Sequence, residues 1–197
     1  MKEKREIGVF LDRDGTINED SGYVGDPKEV VLIPGAASAI RRLNDLRIKV
    51  MVVTNQAGVA RGYYSEEDVR RTNEHIAELL AREGARVDGF YYCPHHKEGT
   101  VPRYRIPCAC RKPQPGMLLR AASDFGVDLG RSYIVGDALT DMSAGAQVGA
   151  KKVLVLTGHG RETLAQNTEE QSVQVEYVAQ DLSDAVRWIA EDVKRDT

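Results

Sequence analysis

Five short runs of consecutive apolar residues constrain this chain more than any other feature. They are IGVFL (7–11), KVMVV (49–53), VDGFYY (87–92), SYIVG (132–136) and KKVLVL (151–156). Runs of this length that do not alternate apolar with polar read as strands buried on both faces. VEYVA (175–179) is a weaker sixth candidate. Helical patterns lie between them: GAASAIRRLNDL (35–46), SEEDVRRTNEHIAELLAREG (65–84), GMLLRAASDFG (116–126), LTDMSAGAQVG (139–149) and LSDAVRWIAEDVK (182–194). The second opens on a Ser65–Asp68 capping box and closes on Gly84. Strands alternating with helices predict an α/β fold, a mainly parallel central sheet with helices on both faces. Right-handed crossovers then bring every strand-to-helix connection to the same edge of the sheet.

The 197 residues are enough for one domain, 1–197, with a sizeable core and no long insertion that could form a separate cap domain. A net charge of −3 with scattered basic residues argues against nucleic-acid binding. The first apolar run is too short for a signal peptide or a membrane span. Three cysteines without an export signal favour metal binding or catalysis over a disulfide framework. The expectation is a cytoplasmic monomer with no membrane partner.

The residues just after four of these apolar runs are chemically loaded. Asp12-Arg13-Asp14-Gly15-Thr16 comes after the first, Thr54-Asn55-Gln56 after the second, a cysteine-rich loop ending in Arg111-Lys112 after the third, and Asp137 with Asp141 after the fourth. All four would meet outside the carboxyl ends of the strands, where open α/β sheets bind ligands. Crowded aspartates repel one another unless a cation sits among them, and an all-oxygen set suits Mg²⁺. A metal, a lysine, hydroxyl and amide donors and a spare carboxylate suit phosphoryl transfer. One carboxylate can attack phosphorus, and one two residues on can protonate the leaving oxygen and then activate water.

These residues resemble the four ordered motifs of haloacid-dehalogenase-like (HAD) phosphatases, with their Rossmann-like fold. The resemblance implies Asp12 as nucleophile, Asp14 as general acid and base, and Thr54 and Lys112 as holders of the phosphoryl group. It also implies Mg²⁺ on Asp12, Asp137 and the backbone carbonyl of Asp14.

The third loop contains Cys93-x-His95 and Cys108-x-Cys110, three thiols and an imidazole, the ligand set of a closed tetrahedral zinc site. His96 is an alternative to His95 by position; the family pattern favours His95. A loop inserted over 93–110 with little apolar content would gain rigidity from zinc, on the order of 10 kcal/mol for such sites. Since Cys110 is bonded to Arg111-Lys112, the zinc would act structurally, aiming both at the phosphate.

FLDRDGTIN, GYV (22–24), VVTNQAGVARG (52–62), YYCPHH (91–96), CACRKPQPGML (108–118) and VGD (135–137) are similar to the D-glycero-D-manno-heptose-1,7-bisphosphate 7-phosphatases over nearly the whole chain. That likeness implies removal of the 7-phosphate of a small phosphorylated sugar, on the way to a nucleotide-activated heptose. It implies that Asp20, Ser21, Gly22, Tyr23, Asn55, Gln56 and Arg111 contact the substrate, Arg111 clamping the distant phosphate through its planar fork. Two positions depart from the pattern: Ala57, where many members carry serine, and Ala138, where lysine is common. The rival readings are a histidinol-phosphate phosphatase, a polynucleotide 3′-phosphatase and a catalytically silent zinc-loop binding module. Arg61 reads equally as a substrate contact and as a solvated or paired arginine. His159, which could line the pocket, reads first as a loop residue. His75 and the Tyr63-Tyr64 and Tyr91-Tyr92 pairs read as surface or packing residues, Trp188 as core, and residues 191–197 as a solvated end.

Overall fold

The structure, a computed structural model, describes residues 6–167 and 173–195. Six strands form one sheet in the order β3-β2-β1-β4-β5-β6: β1 Gly8–Leu11, β2 Lys49–Asn55, β3 Gly89–Cys93, β4 Tyr133–Gly136, β5 Lys151–Val155 and β6 Tyr177–Ala179. Every neighbouring pair runs parallel. Each predicted run contains a strand. The third starts only at Gly89, because the Asp88 carboxylate accepts a hydrogen bond from the Val50 amide and so ends the ladder there.

Among the described residues, seven α-helices connect or flank the strands: α1 Ala36–Asp45, α2 Ala57–Arg61, α3 Glu66–Arg82, α4 Gly116–Phe125, α5 Leu139–Val148, α6 Gly160–Gln166 and α7 Leu182–Arg195. The expected Ser65–Asp68 capping box opens α3. Neither α2 nor α6 was anticipated. At five and seven residues they are too short to show a helical period, and neither opens on a side-chain cap.

The continuous apolar runs are explained by the two helical layers. Val9, Leu11, Val50, Val52, Val135 and Val153 pack against α1, α3 and α7. Phe10, Met51, Val53 and Ile134, the alternate residues of the same strands, pack against α4 and α5. With both faces covered, each fully buried aliphatic side chain stabilises the fold by about 1.5–3 kcal/mol.

Two expectations at the carboxyl end need correcting. Trp188 is half-buried at the core margin, stacked on Tyr177 with ring centroids 5.2 Å apart and edge-on to Tyr133. The stretch from residue 191 is not simply a solvated end. α7 runs on to Arg195, and Asp192 accepts a 2.8 Å hydrogen bond from the Tyr133 hydroxyl and pairs with Lys151. Residues 196–197 of that expected end lie outside the described residues.

The chain lays β2 and β3 to one side of β1, then crosses back to place β4 on the other. The carboxyl ends of β1 and β4 therefore flank the topological switch point, where this architecture opens a crevice. Asp12 and Asp137 stand at its two lips.

Candidate active site

At the switch point the carboxylates of Asp12, Asp137 and Asp141 each bring an oxygen within 4.8 Å of the others. Lys112 reaches in from the third loop. Its Nζ lies 3.0 Å from Asp12 Oδ1 and 2.5 Å from Asp141 Oδ1, and donates to the Val53 carbonyl at 2.7 Å. Burial works against the charge on Lys112 but is outweighed by Asp12 and Asp141, so it stays above the ordinary lysine range. Burial pushes the Asp12 carboxyl up to about 7, against the pull of Lys112. Burial and then Asp12 push Asp137 up to about 6, and Asp141 is raised by burial as well. Three carboxylates and one ammonium leave two negative charges uncompensated. That surplus, presented by hard oxygen donors alone, fits a divalent cation such as Mg²⁺.

The turn holding Asp12 also needs Gly15. It has φ of +78°, and a Cβ there would lie 2.2 Å from Asp137 Oδ2. A side chain would displace a carboxylate from the cation site.

Asp14 is held by four donors. Arg13 grips it through Nε at 3.0 Å and Nη2 at 2.9 Å, Asn18 Nδ2 donates at 2.9 Å, and Gln56 Nε2 donates at 2.9 Å. These fill all four acceptor positions of the carboxylate. Arg13, wholly buried, is fixed in turn by the Val24 carbonyl and Asn73. Sequence reasoning missed it, since an arginine between two aspartates reads as a surface residue. Gln56 also donates to Thr54 Oγ1 and accepts from the Tyr64 hydroxyl at 2.7 Å, linking β2 to the first loop.

Asn55 faces the backbone of Lys112. Its Nδ2 donates to the Lys112 carbonyl and its Oδ1 accepts from the Lys112 amide, both at 3.0 Å.

A cavity of about 400 Å³ opens above these groups. Asp20, Gly22, Tyr23, Asn55, Gln56 and Arg111 from the expected substrate contacts line it, with Thr54; Ser21 does not and is exposed. Ala57 and Ala138 line it too, leaving room where larger side chains would intrude. Arg61 adds to the positive wall that Arg111 begins, and His96 lines the same cavity. His96 is pulled below the ordinary histidine range by burial and then by Arg111 and Arg61.

His159 is more than the plain loop residue its surroundings suggested. Its amide donates to Asp137 Oδ2 at 2.8 Å, and its imidazole Nε2 lies 3.4 Å from Asp20 across the cavity mouth. A larger cavity of about 610 Å³ opens beside Tyr23 and Tyr63, but Asp12, Asp14, Asp137 and Asp141 do not line it.

The zinc candidates converge. Cys93, Cys108 and Cys110 have sulfurs 3.1–3.5 Å apart, and His95 Nδ1 lies 3.7 Å from Cys93 and 3.5 Å from Cys110. A tetrahedron with Zn–S of about 2.3 Å and Zn–N of about 2.0 Å has edges of roughly 3.5–3.8 Å, close to this spacing. His95 rather than His96 joins the thiols. His96 instead accepts from the Glu98 amide and faces the cavity. The His95 carbonyl accepts from Arg111 Nη1 at 3.1 Å, tying the thiol cluster to the cavity wall.

Comparison with known proteins agrees with this geometry. A HAD-hydrolase-like family model matches residues 109–185. A D-glycero-beta-D-manno-heptose-1,7-bisphosphate 7-phosphatase of Rhodopseudomonas palustris is 46% identical over 145 residues, 74% of this chain and 81% of the relative. The enzyme of that name from Escherichia coli K12 is 45% identical over 164 residues, 82% of this chain and 85% of the relative. Among solved structures, a D,D-heptose 1,7-bisphosphate phosphatase from B. bronchiseptica, complexed with magnesium and phosphate, superposes with a TM-score of 0.81. It is 36% identical, over 94% of this chain and 99% of that one. One from Burkholderia thailandensis gives a TM-score of 0.69 at 30% identity, over 94% and 99% of the two chains.

Proposed function

Because this chain belongs to the D-glycero-beta-D-manno-heptose-1,7-bisphosphate 7-phosphatase family of HAD-like hydrolases, we propose that it removes the C7 phosphate from the β-anomer of that sugar. The products are heptose 1-phosphate and inorganic phosphate. A sugar 1-phosphate is the form that nucleotidyl transfer consumes, which suits a place on the way to a nucleotide-activated heptose. The observation that carries the reading is the pairing of Asp12 with a buried Lys112, 3.0 Å apart, at the β1–β4 switch point.

In the proposed reaction the Asp12 carboxylate attacks phosphorus, forming an aspartyl-phosphate and breaking the bond from phosphorus to the C7 oxygen. Asp14 gives that oxygen a proton as it leaves, then takes one from the water that attacks the aspartyl-phosphate. Phosphate departs and the Asp12 carboxylate is restored. Asp14 can do this only by releasing one of its four donors; Gln56, shared with Thr54, is the least committed of them. Thr54 and Lys112 orient the phosphoryl group. Asp12, Asp137 and the Asp14 carbonyl would hold Mg²⁺, which when bound would neutralise charge on the phosphoryl oxygens. Asp141 keeps Lys112 charged and placed.

The Cys93, His95, Cys108 and Cys110 set fits structural zinc, which would hold the loop that carries Arg111 and Lys112. Three free thiols suit a reducing compartment, and we assign the reaction to the cytoplasm. Among the described residues no helix is long and apolar enough to cross a membrane.

The test is phosphate release with Mg²⁺ from the β- and α-anomers of the bisphosphate and from histidinol phosphate. Preference for the β-anomer supports the reading. Faster turnover of histidinol phosphate would replace it with the rival phosphatase.

A further inference from the structure

α2 ends on Arg61, a cation on the cavity wall that the fold leaves short of partners. Its Nε is buried without a hydrogen bond among the described residues. Its nearest carboxylate, Glu98, is mostly exposed and 3.9 Å away. Its guanidinium carbon lies 5.9 Å from the centre of the Tyr23 ring. Buried polar groups in folded proteins are almost always bonded, so one left bare calls for a ligand or a water. Arg111 stands on the same wall, with one nitrogen engaged by the His95 carbonyl. Two guanidiniums lining one cavity repel each other unless an anion answers both.

Arg61 is not on a loose stem. The Val101 amide donates to the Ala60 carbonyl and the Thr100 hydroxyl to the Arg61 carbonyl, both at 2.9 Å. A Cβ on Gly99 would lie 2.7 Å from Ala60, so the thiol-bearing loop sits directly on the end of α2. On the other side Tyr23 is held at a φ of +54° with Tyr63 edge-on to its ring at 4.9 Å. A bulky residue held in the left-handed region is costly, and such strain collects where a ligand is clamped. One loop thus fixes two cations that line the cavity, Arg111 through the chain and Arg61 through packing.

The phosphate that is hydrolysed is already served by Lys112, Thr54 and the cation site. Resting on the family reading above, we propose that Arg61 is a specificity-determining residue that, together with Arg111, binds the phosphate on C1, the one that is not transferred. Arg61 supplies what Arg111 alone cannot: a second planar donor set, aimed from α2 across the anion.

The test compares kcat/KM for heptose 1,7-bisphosphate and for heptose 7-phosphate, which lacks only the C1 phosphate, in wild type, Arg61→Ala and Arg61→Lys. Wild type favours the bisphosphate. Arg61→Ala reduces that preference about 10- to 100-fold, mainly through KM for the bisphosphate. Arg61→Lys recovers part of it, keeping the charge and losing the fork. Equal loss on both substrates would make Arg61 a support of the fold, and an unchanged preference would remove it from recognition; either overturns the proposal. Wild type that does not hydrolyse the bisphosphate sinks the family reading, and this inference with it.

Discussion

Asn55 and Lys112, 57 residues apart, hold each other reciprocally: the asparagine amide donates to the lysine carbonyl and accepts from the lysine amide, both at 3.0 Å. The carboxyl end of β2 thereby sets the backbone from which the Lys112 ammonium reaches Asp12. Asn55→Ala leaves that ammonium free to drift. A misplacement of about 1 Å costs on the order of 100-fold in rate, so kcat should fall by that order with KM for the bisphosphate little altered. Steady-state kinetics check this; a change of less than about threefold in kcat would mean the loop holds Lys112 without Asn55.

Without a cation, Asp12 and Asp137 bind protons more tightly in the folded protein than in the unfolded chain, with values of about 7 and about 6. The folded state therefore carries the extra protons between about pH 4 and pH 7, and stability falls as pH rises through that window. Asp68, held low by the Ser65 backbone and hydroxyl, acts in the opposite direction below about pH 4. His96, held below its ordinary range, offsets part of the fall up to about pH 6.5, but the two aspartates outnumber it. Metal-free protein should melt lower at pH 8 than at pH 5.5, and added Mg²⁺ should raise the melting temperature more at pH 8. Calorimetry across that range tests it. A Mg²⁺ gain independent of pH would place the cation away from these carboxylates.

Arg13 has a buried side chain committed to Asp14, Val24 and Asn73. Arg13→Met removes the bidentate partner of Asp14 and leaves a part-buried carboxylate short of donors. A stability loss of about 3 kcal/mol is expected, read from denaturant unfolding. Loss of less than about 1 kcal/mol would show that water replaces the guanidinium freely.

Cys110 lies between the thiol cluster and Arg111. Metal analysis of purified protein should find one zinc per chain, and Cys110→Ser should release it. Because the loop carries Arg111 and Lys112 and packs on Arg61, kcat/KM for the bisphosphate should fall at least about tenfold, while far-ultraviolet circular dichroism retains the signature of the sheet and helices. Full activity in zinc-free protein would make the cluster a set of ordinary thiols.

The parts of this architecture legible in the sequence are those written in local pattern. Unbroken apolar runs announced the parallel strands, since both faces are covered, and the acidic or amide residues beyond them announced the crevice. Cys93, His95, Cys108 and Cys110 were readable because soft ligands clustered in one loop have few other uses. What stayed hidden depends on contacts between distant segments. The Tyr64–Gln56–Asp14 chain joins residues eight and 42 positions apart. Arg13 was hidden because its partners Val24 and Asn73 come from other segments. Arg61 stayed undecided between substrate contact and solvated arginine because α2 is too short to show a period, and the role of His159 was hidden because its working group is a backbone amide.

The central claim is that the Asp12 site hydrolyses one of two phosphates, that on C7. Phosphorus NMR of β-heptose 1,7-bisphosphate incubated with enzyme and Mg²⁺ tests it most directly, with Asp12→Asn as the blank. The account predicts loss of the C7 phosphomonoester signal, growth of inorganic phosphate, retention of the C1 signal, and no change with the variant. Loss of the C1 signal first, or turnover by Asp12→Asn at the wild-type rate, would contradict it.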